Sequence, residues 1–73
     1  MAEKRSHIII VNGEAHDFSG GSLRALIADF GIDPDRRGVA VALNGEAVPR
    51  TAWNATRPGP GDRIEIVQPL AGG

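Results

Sequence analysis

The sequence predicts an α+β roll, in which a mixed sheet of about four to five strands packs on one main helix. Two Asn-Gly dipeptides each lie between short strand-like stretches, one segment has helical apolar spacing, and a β-branched segment lies near the C-terminus. At 73 residues the chain has the length of one small domain. Such a domain holds one modest core but no deep, water-excluding cleft.

The first predicted element is a β-hairpin. Residues 8–11 are Ile-Ile-Ile-Val, and β-branched residues suit a packed strand. Asn12-Gly13 follows at once and is a strong signal for a two-residue turn, because both residue types tolerate positive φ. Residues 14–18 then form the second, weaker strand.

The next segment is the only convincing helix. Ser22 is a plausible N-cap, and Gly31 supplies a C-terminal stop that allows Ile32 to fold back in a Schellman-type cap. Apolar residues recur at i, i+3, i+4 and i+7, the spacing of one helical face. These residues are Leu23, Leu26, Ile27 and Phe30.

The second half of the chain predicts another hairpin and a last strand. Large and small apolar residues alternate over residues 39–43, and Asn44-Gly45 supplies the turn. Pro49 limits the pairing of the return strand. Residues 63–67 form the last strand, which can pair in parallel beside the first strand in the middle of the sheet. This order of elements is the β-grasp arrangement of ubiquitin.

We expect three parts along the chain. Residues 1–6 are mostly polar and form a disordered N-terminus, residues 7–68 form the β-grasp domain, and residues 69–73 form a flexible, functional C-terminal tail.

Composition excludes several classes of function. The formal net charge is -1, so no general attraction to nucleic acid is expected. The chain has no cysteine, which excludes a thiolate nucleophile and a Cys-based zinc site. The apolar runs at residues 8–11 and 39–43 are far too short to span a membrane and follow no signal-peptide pattern. The expected location is the cytoplasm, without a membrane partner.

One helix covers one face of the sheet, and the first strand is apolar on both faces. The residues assigned to the core side of the first hairpin are Ile9, Val11 and Phe18. The residues expected on the uncovered face are Ile8, Ile10 and Val67. Scattered exposed apolar residues are common on protein surfaces, whereas contiguous ones often form a docking patch for a partner protein. Beside the tail described next, we favour a docking patch.

The C-terminal residues point to chemistry on the main chain. Side-chain bulk falls from Leu70 through Ala71 to Gly72 and Gly73, and we expect that nothing follows. Pro69 stiffens the base of this tail. Glycine alone allows the backbone to approach the walls of a narrow channel closely, so the tail can be threaded into a partner enzyme. There the terminal carboxylate can be adenylated, and a sulfur donor can then displace AMP to leave a thiocarboxylate.

Three segments resemble a known family. They are VNGE at residues 11–14, VALNGEAVPRTAW at residues 41–53 and GDRIEIVQPLAGG at residues 61–73. The sequence resembles the bacterial sulfur carriers of thiamine biosynthesis, the ThiS family of the ubiquitin-like β-grasp group. The middle segment is the most discriminating, because the small subunit of molybdopterin synthase shares the fold and the terminal Gly-Gly but typically lacks this pattern.

The resemblance implies a function and partners. Gly73 would be the residue that is adenylated, converted to a thiocarboxylate and used to donate sulfur in thiazole formation, with Gly72 as its spacer. The implied partners are a ThiF-type adenylyltransferase, thiazole synthase of the ThiG type, and a sulfur donor protein or enzyme. The chain itself would bind no cofactor and would not be an enzyme, since the partner uses the ATP.

Two other functions remain open. Sulfur could be delivered to molybdopterin or another acceptor, or the chain could be a ubiquitin-like interaction module in which Gly-Gly is incidental. A self-contained enzyme is disfavoured, because neither a nucleophile nor the length for a pocket is present.

Side chains offer little evidence for another site. His7 and His16 can face each other across the first hairpin, but no third metal ligand converges on them. Trp53 is expected to pack in the core rather than anchor a partner. Arg50 is expected to pair with Glu46 on the same hairpin.

Overall fold

The structure is a computed structural model that describes residues 6–69. The predictions for residues 1–5 and for residues 70–73 lie outside the described residues. In chain order the elements are β1 (His7–Val11), β2 (Glu14–Phe18), α1 (Leu23–Asp29), β3 (Ala40–Leu43), β4 (Glu46–Ala47), a 3₁₀ turn (Arg50–Ala52) and β5 (Arg63–Val67). The predicted α+β class with one main helix is confirmed.

The five strands form one mixed sheet in the order β2-β1-β5-β3-β4. β5 lies in the centre, parallel to β1 and antiparallel to β3. The two hairpins are antiparallel, as the Asn-Gly turns predict. The predicted parallel pairing of the first and last strands, which defines the β-grasp order, is therefore confirmed.

The first hairpin has the register that places the expected residues in the core. His7 lies opposite Phe18 and Ile9 lies opposite His16. Since side chains alternate along a strand, Ile9, Val11 and Phe18 share the face that the helix covers, and all three are buried. The assignment of this core side is confirmed.

The helix begins where the sequence predicts. The backbone N–H of Ala25 donates to Ser22 Oγ at 3.1 Å, so Ser22 is the N-cap. Leu23, Leu26 and Ile27 are buried against the sheet. The predicted N-cap and these three members of the apolar face are confirmed.

The helix ends earlier than its apolar spacing predicts. α1 has 7 residues, about two turns, and Phe30 is its C-cap. Gly31 has φ 79°, and the N–H of Ile32 donates to the Ile27 carbonyl at 3.2 Å, which is the predicted Schellman cap. Phe30 lies outside the core, is 39% exposed and forms a T-shaped pair with the His16 ring. The prediction that Phe30 continues the buried face is wrong.

Trp53 belongs to the core and is 1% exposed. Its indole Nε1–H donates to the Val48 carbonyl at 2.8 Å, so its polar atom is satisfied inside the fold. The other buried apolar residues are Ile9, Val11, Phe18, Leu23, Leu26, Ile27, Val39, Val41, Ile64 and Ile66. The interpretation of Trp53 as a packing residue is confirmed.

Over residues 6–69, no helix has the length and apolar character that crossing a membrane requires.

Candidate functional site

The central strand β5 carries the chain from the middle of the sheet to the predicted tail. Ile66 is buried and Val67 is exposed, and Gln68 and Pro69 follow outside the strand. The predicted site residues Leu70, Ala71, Gly72 and Gly73 lie outside the described residues. The structure therefore describes the base from which the C-terminal segment starts.

Asn12 hydrogen-bonds to the C-terminal end of β5 on the side facing β1. The backbone N–H of Ile66 donates to Asn12 Oδ1 at 2.8 Å, and Asn12 Nδ2 donates to the Ile66 carbonyl at 3.3 Å. β1 has already ended at Val11, so the Asn12 side chain occupies the place that a further strand residue would take. Both main-chain polar groups of Ile66 are thereby satisfied.

Gly38 packs directly against the ring of Pro69, on the opposite side of β5. A Cβ atom at Gly38 would lie 2.6 Å from Pro69 Cγ, and the φ angle of Gly38 is 92°. Only glycine fits this backbone conformation and this contact without strain. The segment before β3 thus supports the residue at which the predicted tail begins.

Arg50 holds the segment that contains Gly38. Its guanidinium donates to the carbonyls of Pro34, Arg36 at 2.9 Å and Val39 at 3.4 Å. It also lies 4.6 Å from the centre of the Trp53 ring, in a cation–π arrangement. The prediction that Arg50 pairs with Glu46 is wrong, because the planar fork of donors instead satisfies carbonyls of an irregular loop.

Substituting Gly38 tests this support. We expect Gly38→Ala to lower the free energy of unfolding by about 1 kcal/mol more than Gly45→Ala, because the new Cβ forces the Pro69 ring to move. Gly45 is the matched control: its φ angle is 86°, and a Cβ there meets nothing within 4 Å. Urea denaturation of both variants measures the difference. Equal losses would show that Pro69 shifts without resistance and that Gly38 does not support it.

A second asparagine holds the opposite end of β5. The backbone N–H of Arg63 donates to Asn44 Oδ1 at 2.9 Å, and Asn44 Nδ2 donates to Asp62 Oδ1 at 3.1 Å. The other carboxylate oxygen of Asp62 accepts from the Gly59 N–H at 2.7 Å. The Gly59 bond, then the Asn44 bond, favour the carboxylate and hold the pKa of Asp62 below its usual range.

The three residues predicted as a docking patch share the uncovered face but do not form one contiguous group. Ile8 and Val67 are 47% and 62% exposed, and Ile10 is half-buried. The register sets Ile10 beside Arg63, whereas Val67 lies beside Ala40. Val67 therefore lies four residues after Arg63 on β5, which is about 13 Å along the strand from the position beside Ile10. Ile8 and Ile10 form one apolar group on β1, and Val67 lies separately at the base of the tail.

The two histidines contact aromatic rings rather than each other. His7 and Phe18 form a T-shaped pair with ring centroids 5.5 Å apart, and His16 and Phe30 form a second T-shaped pair with centroids 5.0 Å apart. Within the part of the chain that the structure describes, no cluster of three metal-ligating side chains and no pocket is present.

Sequence reasoning missed the roles of Asn12 and Gly38. Asn12 is part of an Asn-Gly pair, and the pattern indicated only a turn. Gly38 ends a polar loop, and nothing in the sequence links it to Pro69, which is far away along the chain. Local spacing along the sequence does not indicate which distant strand or residue a turn residue contacts.

The chain matches known proteins over nearly its whole length. The model of the ThiS family matches residues 6–73. The crystal structure of the thiamine biosynthesis protein (ThiS) from Geobacter metallireducens is 28% identical, with a TM-score of 0.73, over 90% of this chain and 99% of that chain. A solution structure of a thiamine biosynthesis protein from Geobacter metallireducens gives 27% identity and a TM-score of 0.74, over 90% of this chain and 87% of that one.

A curated relative is much longer than this chain. Thiazole synthase from Paramagnetospirillum magneticum (strain ATCC 700264 / AMB-1) is 36% identical over 66 residues, which are 89% of this chain. The chain spans 20% of the length of that relative.

Proposed function

The chain belongs to the ThiS family, and we propose that it carries sulfur for the thiazole moiety of thiamine on the main-chain carboxylate of Gly73. The observation that carries the proposal is the position of β5. The strand runs through the centre of the sheet towards the C-terminus, and its end is held by Asn12 on one side. A rigid domain that presents its C-terminal segment suits a protein whose own terminus is the substrate.

The chemistry takes place in two steps on one carboxyl group, the first at its oxygen and the second at its carbon. The Gly73 carboxylate oxygen attacks the α-phosphorus of ATP, pyrophosphate leaves, and an acyl-adenylate forms. A sulfide equivalent from a sulfur donor then attacks the acyl carbon, and AMP leaves. The product is a thiocarboxylate, whose sulfur is nucleophilic and can be passed on. The adenylyltransferase supplies the ATP site, and the carrier needs no cofactor of its own.

The residues before Gly73 suit entry into a narrow active site. Gly72 and Gly73 have no Cβ atom, and Ala71 has only a methyl group. Leu70 is the first bulky residue back from the end and would remain at the channel mouth. We assign residues 70–72 to threading and Gly73 to the reaction.

The partners of this function are an adenylyltransferase of the ThiF type, a sulfur donor and thiazole synthase. The relative from Paramagnetospirillum magneticum, named thiazole synthase, contains a stretch similar to this chain within a much longer protein. That similarity supports thiazole synthase as the acceptor of the sulfur. Because the reaction needs ATP and a sulfur donor, the proposed location is the cytoplasm.

The uncovered face of the sheet is proposed as the surface that docks on the partners. Ile8 is exposed and Ile10 is half-buried, and both lie on this face of β1, where they supply apolar area. Val67 would contact the partner near the entry of the tail. Apolar residues of this kind on a small domain suit such a surface.

Placing a charge on this face tests docking. We expect Ile8→Glu to raise KM for adenylation about tenfold with kcat nearly unchanged, because a charge in an apolar contact weakens binding. Ala28→Glu is the control, since Ala28 is exposed on α1 on the other side of the sheet. Steady-state kinetics with the adenylyltransferase measure both. Equal KM values for the two variants would argue against docking through Ile8.

Intact mass spectrometry tests the proposed function. The chain is incubated with ATP, a sulfur source and an adenylyltransferase that is already active on another carrier. We expect its mass to rise by the difference between sulfur and oxygen, and to stay constant without ATP. An unchanged mass in the complete reaction would contradict the proposal.

A further inference from the structure

Both Asn-Gly turns contact β5 through the asparagine side chain. Asn12 and Asn44 each have φ 51°, and the glycines that follow have φ 85° and 86°. The two turns thus have the same local conformation. Asn12 bonds Ile66 near the C-terminal end of β5, and Asn44 bonds Arg63 at its N-terminal end. The side chain of a turn asparagine therefore hydrogen-bonds to β5 at each of its two ends.

Each asparagine side chain hydrogen-bonds to a backbone group of β5 just beyond the end of the neighbouring strand, where a further strand residue would otherwise pair. The backbone N–H of Asn12 donates to the Ile64 carbonyl at 2.9 Å and continues the pairing of β1 with β5. The next pair of polar groups on that side of β5 belongs to Ile66, beyond the end of β1. The Asn12 side chain supplies one acceptor and one donor to it.

The turn alone does not explain these bonds. Asparagine is common in such turns because it tolerates positive φ, and that preference requires no contact with a distant strand. The Asn12 side chain bonds a residue 54 positions away in the sequence. Its bonds fix the part of β5 that is nearest to the C-terminal segment.

We propose that Asn12 is a positioning residue of the sulfur-carrier reaction, which fixes Ile66 and with it the point where the C-terminal segment leaves the sheet. This inference rests on the proposed function. A fixed starting point limits the directions in which the segment can enter the partner, so the segment loses less conformational entropy on binding. It also keeps the reacting carboxylate in a narrow range of positions, to which reaction rates are sensitive.

Paired glycine substitutions separate positioning from stability. Asn12→Gly and Asn44→Gly both keep a residue that accepts positive φ and both remove the side-chain bonds to β5. We expect Asn12→Gly to lower kcat/KM for adenylation about tenfold, and Asn44→Gly to lower it less than about twofold. Urea denaturation is expected to give similar losses of stability for the two variants.

Amide hydrogen exchange gives a readout that does not depend on the partner. We expect the Ile66 amide to exchange about tenfold faster in Asn12→Gly than in the unaltered chain or in Asn44→Gly. Asn12→Asp keeps an oxygen that accepts from the Ile66 N–H but places a second acceptor against the Ile66 carbonyl, so it should restore only part of the protection and part of the activity.

The outcomes distinguish the inference from the function on which it rests. If the unaltered chain is adenylated and Asn12→Gly and Asn44→Gly lose equal activity, Asn12 has no special role in positioning. Unchanged protection of Ile66 in Asn12→Gly would likewise overturn the inference. If the unaltered chain is not adenylated at all, the proposed function fails and the inference about the reaction fails with it, whatever the exchange rates show.

Discussion

Adding one alanine after Gly73 is expected to lower the rate of adenylation at least about a hundredfold. The extra residue moves the reacting carboxylate by about 3.5 Å, and it places a Cβ atom where the proposal requires glycine. Pyrophosphate release in the presence of ATP and the adenylyltransferase measures the effect directly. The expected effect is large because the addition displaces the reacting atoms themselves.

The extended chain should still bind the partner, since the folded domain is unchanged. It should therefore act as a competitive inhibitor of the unaltered chain, which serves as the check that docking is intact. Adenylation of the extended chain at the normal rate would contradict a role for the Gly73 carboxylate. That result would favour a ubiquitin-like interaction module in which the Gly-Gly sequence is incidental.

Trp53→Ala is expected to give the largest loss of stability, about 3–5 kcal/mol. Trp53 is 1% exposed, its Nε1–H bonds the Val48 carbonyl, and the Arg50 guanidinium lies over its ring. A small domain has only about 5–15 kcal/mol of stability in total, so this loss would remove a large share of its free energy of unfolding. Urea denaturation and circular dichroism measure the effect.

Trp53→Phe is the matched control for this substitution. Phenylalanine keeps most of the aromatic volume but leaves the Val48 carbonyl without its donor, so a smaller loss of about 1–2 kcal/mol is expected. A loss below about 1 kcal/mol for Trp53→Ala would contradict the central packing role of the indole.

Local sequence signals predicted most of the fold. Asn12-Gly13 and Asn44-Gly45 defined the two hairpins, since their turn conformation depends mainly on those residues themselves. Ser22 predicted the start of the helix for the same reason, because an N-cap acts on the backbone only a few residues away. The central position of the last strand followed from the order of elements and their short connections.

Long-range contacts could not be predicted from local spacing. Phe30 continues the apolar pattern of the helix, but the cap at Gly31 ends the helix before that position joins the buried face. Arg50 had an acidic neighbour on its own hairpin, yet it bonds loop carbonyls that reach it only in the folded chain. The separation of Ile8 from Val67 depends on the register of β1 and β5, which the pattern of apolar residues does not define.

Sequence reasoning proposed a reacting group for the candidate site but missed the contacts at its base. The Gly73 carboxylate, which we propose as the reacting group, and the threading residues before it were inferred from the loss of side-chain bulk along the tail, and they lie outside the described residues. The supports at its base, Asn12 on Ile66 and Gly38 on Pro69, required the structure, because each joins residues from distant parts of the chain.

The most direct test of the account is to locate the sulfur in the modified chain by fragmentation mass spectrometry. The reaction is run with ATP, a sulfur donor and the adenylyltransferase, and the intact product is fragmented. We expect every C-terminal fragment that contains Gly73 to carry the mass increase, and every N-terminal fragment that ends before Gly73 to lack it. Sulfur on any other residue, or none in a reaction that modifies a second carrier, would contradict chemistry at the main-chain carboxylate.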